Sequence, residues 1–233
     1  MEAPLEEVLD EQRRYYGARA GEYEDWWFRR GRYAHGDGAE AAWFEDVERA
    51  RTALARFAPA GRVLELACGT GLWTEQLAPR SQVITALDAS GEALELARSK
   101  VPGANIEWVQ ADVFAWEPAA RYDVCFFAFW LSHVPGELME AFWEKVARAL
   151  APGGRVFLVD SAVNERATAH DHQTPAPGER RETRRLDDGR EFQVVKHWFD
   201  APSLQHMIER LGWHARIDAS DYFVYGEAVP RDS

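Results

Sequence analysis

Short apolar runs alternate with stretches of helical period along most of this chain. Residues 62–66, 82–87, 105–109, 122–127 and 155–159 are runs of five or six positions rich in Val, Ile, Leu and Phe. That is the composition of strands buried on both faces. Helical patterning covers 72–78, 91–100 and 137–150 between these runs, and 39–57 ahead of them, stopping before Pro59. Such alternation predicts a parallel sheet with helices on both faces. Nearer the C-terminus, a helical stretch at 202–211 is closed by Gly212. Residues 213–219 and 222–229 then read as an antiparallel pair that completes seven strands. The expected fold class is α/β, with a seven-stranded, mostly parallel sheet.

Two regions break this rhythm. Residues 5–19 carry Leu5, Val8, Leu9, Tyr15 and Tyr16 among charges, the pattern of an amphipathic helix. A segment follows that brings the aromatics ahead of Arg29 to six: Tyr15, Tyr16, Tyr23, Trp26, Trp27 and Phe28. These rings either staple the N-terminal arm to the core or form a helical lid over a ligand, with the lid preferred. The glycine-rich stretch 31–38 reads as a mobile loop. The second break comes after residue 160, where 164–181 is polar and contains proline. Asp187-Asp188-Gly189-Arg190 then separates two alternating runs, the signature of a β-hairpin inserted after the fifth strand. The chain is expected to be one domain over 1–233: a lid at 1–38, a core at 39–160, an insert with the hairpin at 161–200 and a C-terminal helix and strand pair at 201–233.

The 233 residues include 46% hydrophobic positions, enough for a sizeable core, and no apolar stretch of membrane-spanning length. A cytoplasmic protein without a membrane partner is expected. The net charge of −12 argues against nucleic acid as a partner. Cys68 and Cys125 are too few for a disulfide framework and read as small buried side chains. His35, His133, His170, His172 and His197 form no metal-ligand pattern, so no metal is expected.

The candidate chemistry gathers at residues 63–73. Val63-Leu64-Glu65-Leu66 breaks into Ala67-Cys68-Gly69-Thr70-Gly71 before a helical run: a strand, a glycine-bearing turn and a helix. Glycine there lets backbone approach a ligand closely, at the end of the sheet where open α/β proteins bind ligands. Glu65-x-Ala67-x-Gly69-x-Gly71 resembles motif I of the class I S-adenosylmethionine (SAM) dependent methyltransferases. Asp88 sits where that family keeps the acid that grips the ribose. Gln110-Ala111-Asp112-Val113 resembles its adenine station, and Leu150-Ala151-Pro152-Gly153-Gly154 its turn into the fifth strand. The resemblance implies a Rossmann-like fold and SAM as cofactor, with S-adenosylhomocysteine (SAH) as product. It places the cofactor against Tyr16, Tyr23, Glu65, Ala67, Gly69, Gly71, Trp73, Asp88, Ala89, Asp112, Val113 and Ala128. The rival, a dinucleotide fingerprint, lacks its third glycine, because Leu72-Trp73-Thr74 follows Gly71.

Residues 126–135 follow the fourth strand and line the acceptor side. They lack the Asn/Asp-Pro-Pro-aromatic motif of nucleic-acid amino methyltransferases. His133 reads as a catalytic base, an orienting donor or a structural residue. Trp130-Leu131-x-His133-Val134-Pro135, Ala141-Phe142-Trp143-Glu144, the hairpin from Arg184 to Lys196 and Leu211-Gly212-Trp213 are similar to dehydrophos-type phosphonate O-methyltransferases and related actinobacterial enzymes of natural-product biosynthesis. That resemblance implies an acidic substrate held by Arg184, with Arg30 or Tyr33 in place of a lid tyrosine, beside Trp130 and Lys196. Arg180, Arg181 and Arg185 read as solvated edge charges. The expected function is O-methylation of a small, acidic acceptor by a monomer or homodimer. The alternatives are N-methylation of an amine, with His133 or Glu22 taking the proton, and SAM binding without catalysis.

Overall fold

The computed structural model describes residues 4–170, 172 and 181–231. Its helices are α1 (Leu5–Arg19), α2 (Tyr23–Trp27), α3 (Asp37–Phe57), α4 (Thr74–Leu77), α5 (Gly91–Lys100), α6 (Met139–Ala149) and α7 (Ala201–Arg210). The strands are β1 (Arg62–Leu66), β2 (Val83–Asp88), β3 (Ile106–Gln110), β4 (Tyr122–Ala128), β5 (Leu150–Ser161), β6 (Arg181–Arg185), β7 (Glu191–Val195), β8 (Trp213–Ala219) and β9 (Phe223–Pro230). Seven of them form one sheet in the order β3-β2-β1-β4-β5-β9-β8, while β6 and β7 pair separately as the hairpin. β1 to β5 run parallel, and β9 lies antiparallel to both β5 and β8. This is the α/β, Rossmann-like sheet expected from the apolar pattern.

Strand order reverses between β1 and β4, where chain connections leave in opposite directions and open a crevice at the C-terminal strand ends. The two-residue strand period sends neighbouring side chains to opposite cores. Phe126 packs with Phe157 and Trp73 on the α3 side, while Phe127 meets Phe142 and Trp143 of α6. A third, smaller cluster joins Tyr15 of α1 to Leu186 and Val194 of the hairpin.

Three expectations about elements need correction. Residues 31–38 hold a 3-10 turn at Gly31–Tyr33 with Tyr33 buried, and α3 starts at Asp37 after Gly36 at φ +90°, so this stretch is not an open loop. The helix after the glycine turn is only α4, because Leu72 and Trp73 belong to the turn and Pro79 follows directly. Pro152-Gly153-Gly154 lies within β5, not between helix and strand. Pairing with β4 jumps from Tyr122↔Leu150 to Val124↔Arg155, leaving the extra residues as a bulge. Arg180, expected at the hairpin edge, lies outside the described residues. No helix among the described residues is long and apolar enough to cross a membrane.

Candidate active site

The glycine turn is built by β1 ending beside β2. Ala67 and Gly69 take positive φ (52° and 55°), and the turn is tied down by Asp88 at the tip of β2. Asp88 Oδ2 accepts from Gly69 N at 2.8 Å and Oδ1 from Ser90 N at 2.8 Å. Gly71, at φ +83°, serves another purpose: a Cβ there would stand 3.1 Å from that of Ala97, so this glycine admits α5 against the turn. It is the one residue expected at the cofactor that does not line the cleft.

That cleft encloses about 1070 Å³, open mouth included, over the tips of β1, β2, β3 and β4. Glu65, Ala67, Gly69, Trp73, Asp88, Ala89, Asp112, Val113 and Ala128 line it, with Tyr16 and Tyr23 from the N-terminal arm. Burial, with the Asp88 charge adding and a 2.6 Å hydrogen bond from Thr74 Oγ1 opposing, pushes the Glu65 carboxyl up to about 8. Burial also raises Asp88, against the hydrogen bonds from Ser90 and Gly69. Asp112 Oδ1 accepts from Phe114 N at 2.7 Å, and Oδ2 pairs with Arg13 of α1.

A second, smaller chamber of about 520 Å³ adjoins the first, and Tyr16, Tyr23 and Phe129 line both. Tyr33, His133, Arg184 and Lys196 line this chamber, as does Arg19 of α1. Two residues expected with them are elsewhere. Arg30 is exposed, over the Phe28 ring and 3.9 Å from Asp25, because the turn at Gly31 carries it outward. Trp130 faces the cofactor cleft, its ring against Phe114, because β4 ends at Ala128 and Phe129 takes φ +53°. Glu22 lines neither chamber; both of its carboxylate oxygens accept from Asp187 N of the hairpin.

His133 Nδ1 contacts Val195 O at 2.6 Å, which makes that nitrogen the donor and leaves Nε2 as the acceptor. Burial and the Lys196 cation hold its pKa well below the usual imidazole value, so the ring is neutral. Arg184 is ion-paired with Glu182 and donates to Thr168 Oγ1 at 2.7 Å. Lys196 Nζ donates to Ser132 Oγ at 2.9 Å and stands 3.6 Å from Asp160, with burial lowering its pKa. Burial drives the Tyr16 hydroxyl far above its ordinary pKa, and this buried OH has no hydrogen-bond partner among the described residues.

Comparison with known proteins places this arrangement. A family described as "Methyltransferase domain" matches residues 63–154. The structure of DhpI in complex with SAM and a ligand named HEP is 36% identical, covers 96% of this chain and 98% of its own, and superposes with a TM-score of 0.77. The DhpI–SAH complex gives 35% identity and 0.76, with 97% of that chain covered. The chain belongs to the class I S-adenosylmethionine-dependent methyltransferases. Trans-aconitate 2-methyltransferase of Paracidovorax citrulli is 38% identical over 136 residues, 54% of this chain and 50% of its own length. The chain thus spans about half the length of the curated relatives it matches.

The cleft of this methyltransferase fits SAM and its product SAH. Carboxylates at the ends of β1 and β2 and just beyond β3 (Glu65, Asp88 and Asp112) suit hydroxyl and amino groups, and the buried indole N–H of Trp73 lacks a partner among the described residues. Several contributing residues escaped the sequence reading. Arg13 and Arg19 carry a readable signal, since Arg19 lies at helical spacing from Tyr15, Tyr16 and Tyr23. Lys145 of α6 carries none: its buried Nζ donates to Val113 O at 3.1 Å, Phe114 O at 2.6 Å and Trp116 O at 2.5 Å, pinning the loop after β3. Among the described residues, no three metal-ligating side chains gather.

Proposed function

We propose that this methyltransferase O-methylates a small molecule that arrives as an anion. The observation that carries this reading is the clustering of Arg19, Arg184 and Lys196 on one buried chamber sharing a wall with the cofactor cleft. Buried cations favour an anionic partner through charge-assisted hydrogen bonds. When bound, SAM supplies a methyl group already activated by its positive sulfur. The protein's own contribution is then alignment, worth ~7–11 kcal/mol in well-oriented reactions. Asp88 and Asp112 would hold the ribose and adenine, Glu65 the amino group, and Tyr16 with Tyr23 would exclude water where the two chambers meet. An acceptor that is already ionised needs no base, which agrees with a neutral His133 whose basicity is depressed. The DhpI complex with SAM and HEP and the trans-aconitate 2-methyltransferase supply precedent in related chains.

The test is a product-mass screen with SAM against carboxylates, phosphonates, phenols and amines. Methylation of acids is expected, with Arg184→Ala raising the acceptor KM about tenfold or more and leaving SAH affinity unchanged. Turnover confined to amines would overturn the reading.

A further inference from the structure

The three cations of the acceptor chamber differ in how their charge is balanced. Arg184 is neutralised by Glu182, a buried carboxylate on the same strand. Lys196 faces Asp160, whose carboxylate is fully buried and also accepts from Ser132 N at 2.9 Å and Ser161 N at 2.7 Å. Each pair is a fixed, internally compensated unit. Arg19 has no such partner. Among the described residues its guanidinium makes no hydrogen bond or ion pair, and its Nε is buried without an acceptor. Instead it is caged by rings, 5.1 Å from the Tyr23 centroid, 5.7 Å from Tyr15 and 5.8 Å from Trp26. Cation–π contacts hold a guanidinium in place while leaving its in-plane donors unsatisfied. A buried donor without an acceptor is costly, so the native state of this chamber calls for a ligand oxygen at Arg19.

Resting on the O-methylation reading above, we infer that Arg19 binds a negative charge of the acceptor other than the one that is methylated. The reason lies in the charge balance of the transfer. An oxygen lone pair forms the new C–O bond while the C–S bond breaks and its electron pair stays on sulfur. One negative and one positive charge therefore vanish together. An acceptor with a single charge would leave the half-buried Arg19 opposite a neutral ester. An acceptor with two leaves a monoanionic ester that still matches Arg19 after transfer. The acceptor is thus a doubly charged small acid or a two-acid molecule, and its product is a half-ester that the protein continues to hold through Arg19.

The test compares wild type with Arg19→Gln and Arg19→Lys. Succinate and glutarate serve as double-charge acceptors, with butyrate as the single-charge control. Calorimetry on the SAH-loaded protein then measures the affinity of monomethyl succinate against that of dimethyl succinate. The wild type is expected to favour the double-charge acids in kcat/KM. Arg19→Gln should erase that preference, lowering kcat/KM for them and half-ester affinity about tenfold or more. Neutral-ester binding and SAH affinity stay unchanged, turnover of the single-charge acid falls less than that of the double-charge acids, and Arg19→Lys recovers part of the preference. A melting temperature equal to wild type confirms that the variants fold. Turnover of double-charge acids with the same preference in Arg19→Gln overturns the assignment of Arg19 while leaving O-methylation intact. Binding of acids that Arg19→Gln abolishes, but without methyl transfer, keeps the anion site and overturns O-methylation. Neither binding nor turnover of any of these acids overturns both.

Discussion

Glu65, next to last in β1, has its carboxyl pushed up to about 8, accepting from Thr74 Oγ1 and facing the cleft. In the ligand-free protein this group is mostly protonated at neutral pH. An ammonium group of SAM or SAH placed beside it favours the carboxylate, so binding should expel a proton. Cofactor affinity is therefore expected to rise between about pH 6 and pH 7.5, and the binding enthalpy at pH 7 to vary with the ionisation enthalpy of the buffer. Glu65→Gln should abolish both dependences; a buffer-independent enthalpy in wild type would remove Glu65 from the amino end. The sign for folding runs the other way. A carboxyl raised from 4.5 to about 8 favours the folded state at low pH, and that contribution is lost as pH climbs through about 8. At this scale the sequence was readable wherever a backbone constraint accompanied the side chain. Glu65, Gly69 and Asp88 lie at a strand end or glycine turn, and all line the cleft. Arg30 and Trp130 were misplaced because their directions follow from the turn at Gly31 and from Phe129 at φ +53°, neither of which leaves a mark in composition.

Among the elements, α1 and the β6–β7 hairpin behave as a single structural unit separated by long stretches of chain. Tyr15 packs on Leu186, Val194 and Phe192. Gln12 bridges His133 O at 2.9 Å and Val195 N at 3.1 Å, and Glu11 accepts from Gln193 N at 2.8 Å. Both elements were visible as local patterns, yet their docking was not, since periodicity reports which face is apolar and not what covers it. The aromatic-rich arm in fact divides two duties. Trp26 and Trp27 anchor it among Trp43 and Phe129, while Tyr16 and Tyr23 face the cleft. Val194→Ala removes two buried methyl groups from the small shared core, a loss of about 2 kcal/mol. The expected outcome is faster amide exchange across α1 and β7 with the sheet unchanged. Uniform loss of protection throughout the protein would mean that α1 and the hairpin do not open together.

Across the whole molecule, a strongly acidic chain gathers three cations, Arg19, Arg184 and Lys196, on one chamber, behind a helix that also reaches Asp112 in the cleft. Arg13 of α1 pairs with Asp112, and Arg19, two turns further on, lines the smaller chamber. The Arg13–Asp112 pair is partly exposed, so its contribution to stability is small. Its kinetic role is separable: Arg13→Ala is expected to speed SAH release severalfold, read by stopped-flow fluorescence, while leaving the melting temperature within about 2 °C of wild type. Unchanged release would show that α1 does not gate the cleft. Spanning two compartments with one helix has a consequence for the reaction cycle. Because α1 walls both chambers, a displacement of that helix would open them together and tie departure of the spent donor to departure of the ester. An ester held by a residual charge would then throttle turnover at its last step, and the enzyme would slow itself as its own output accumulates.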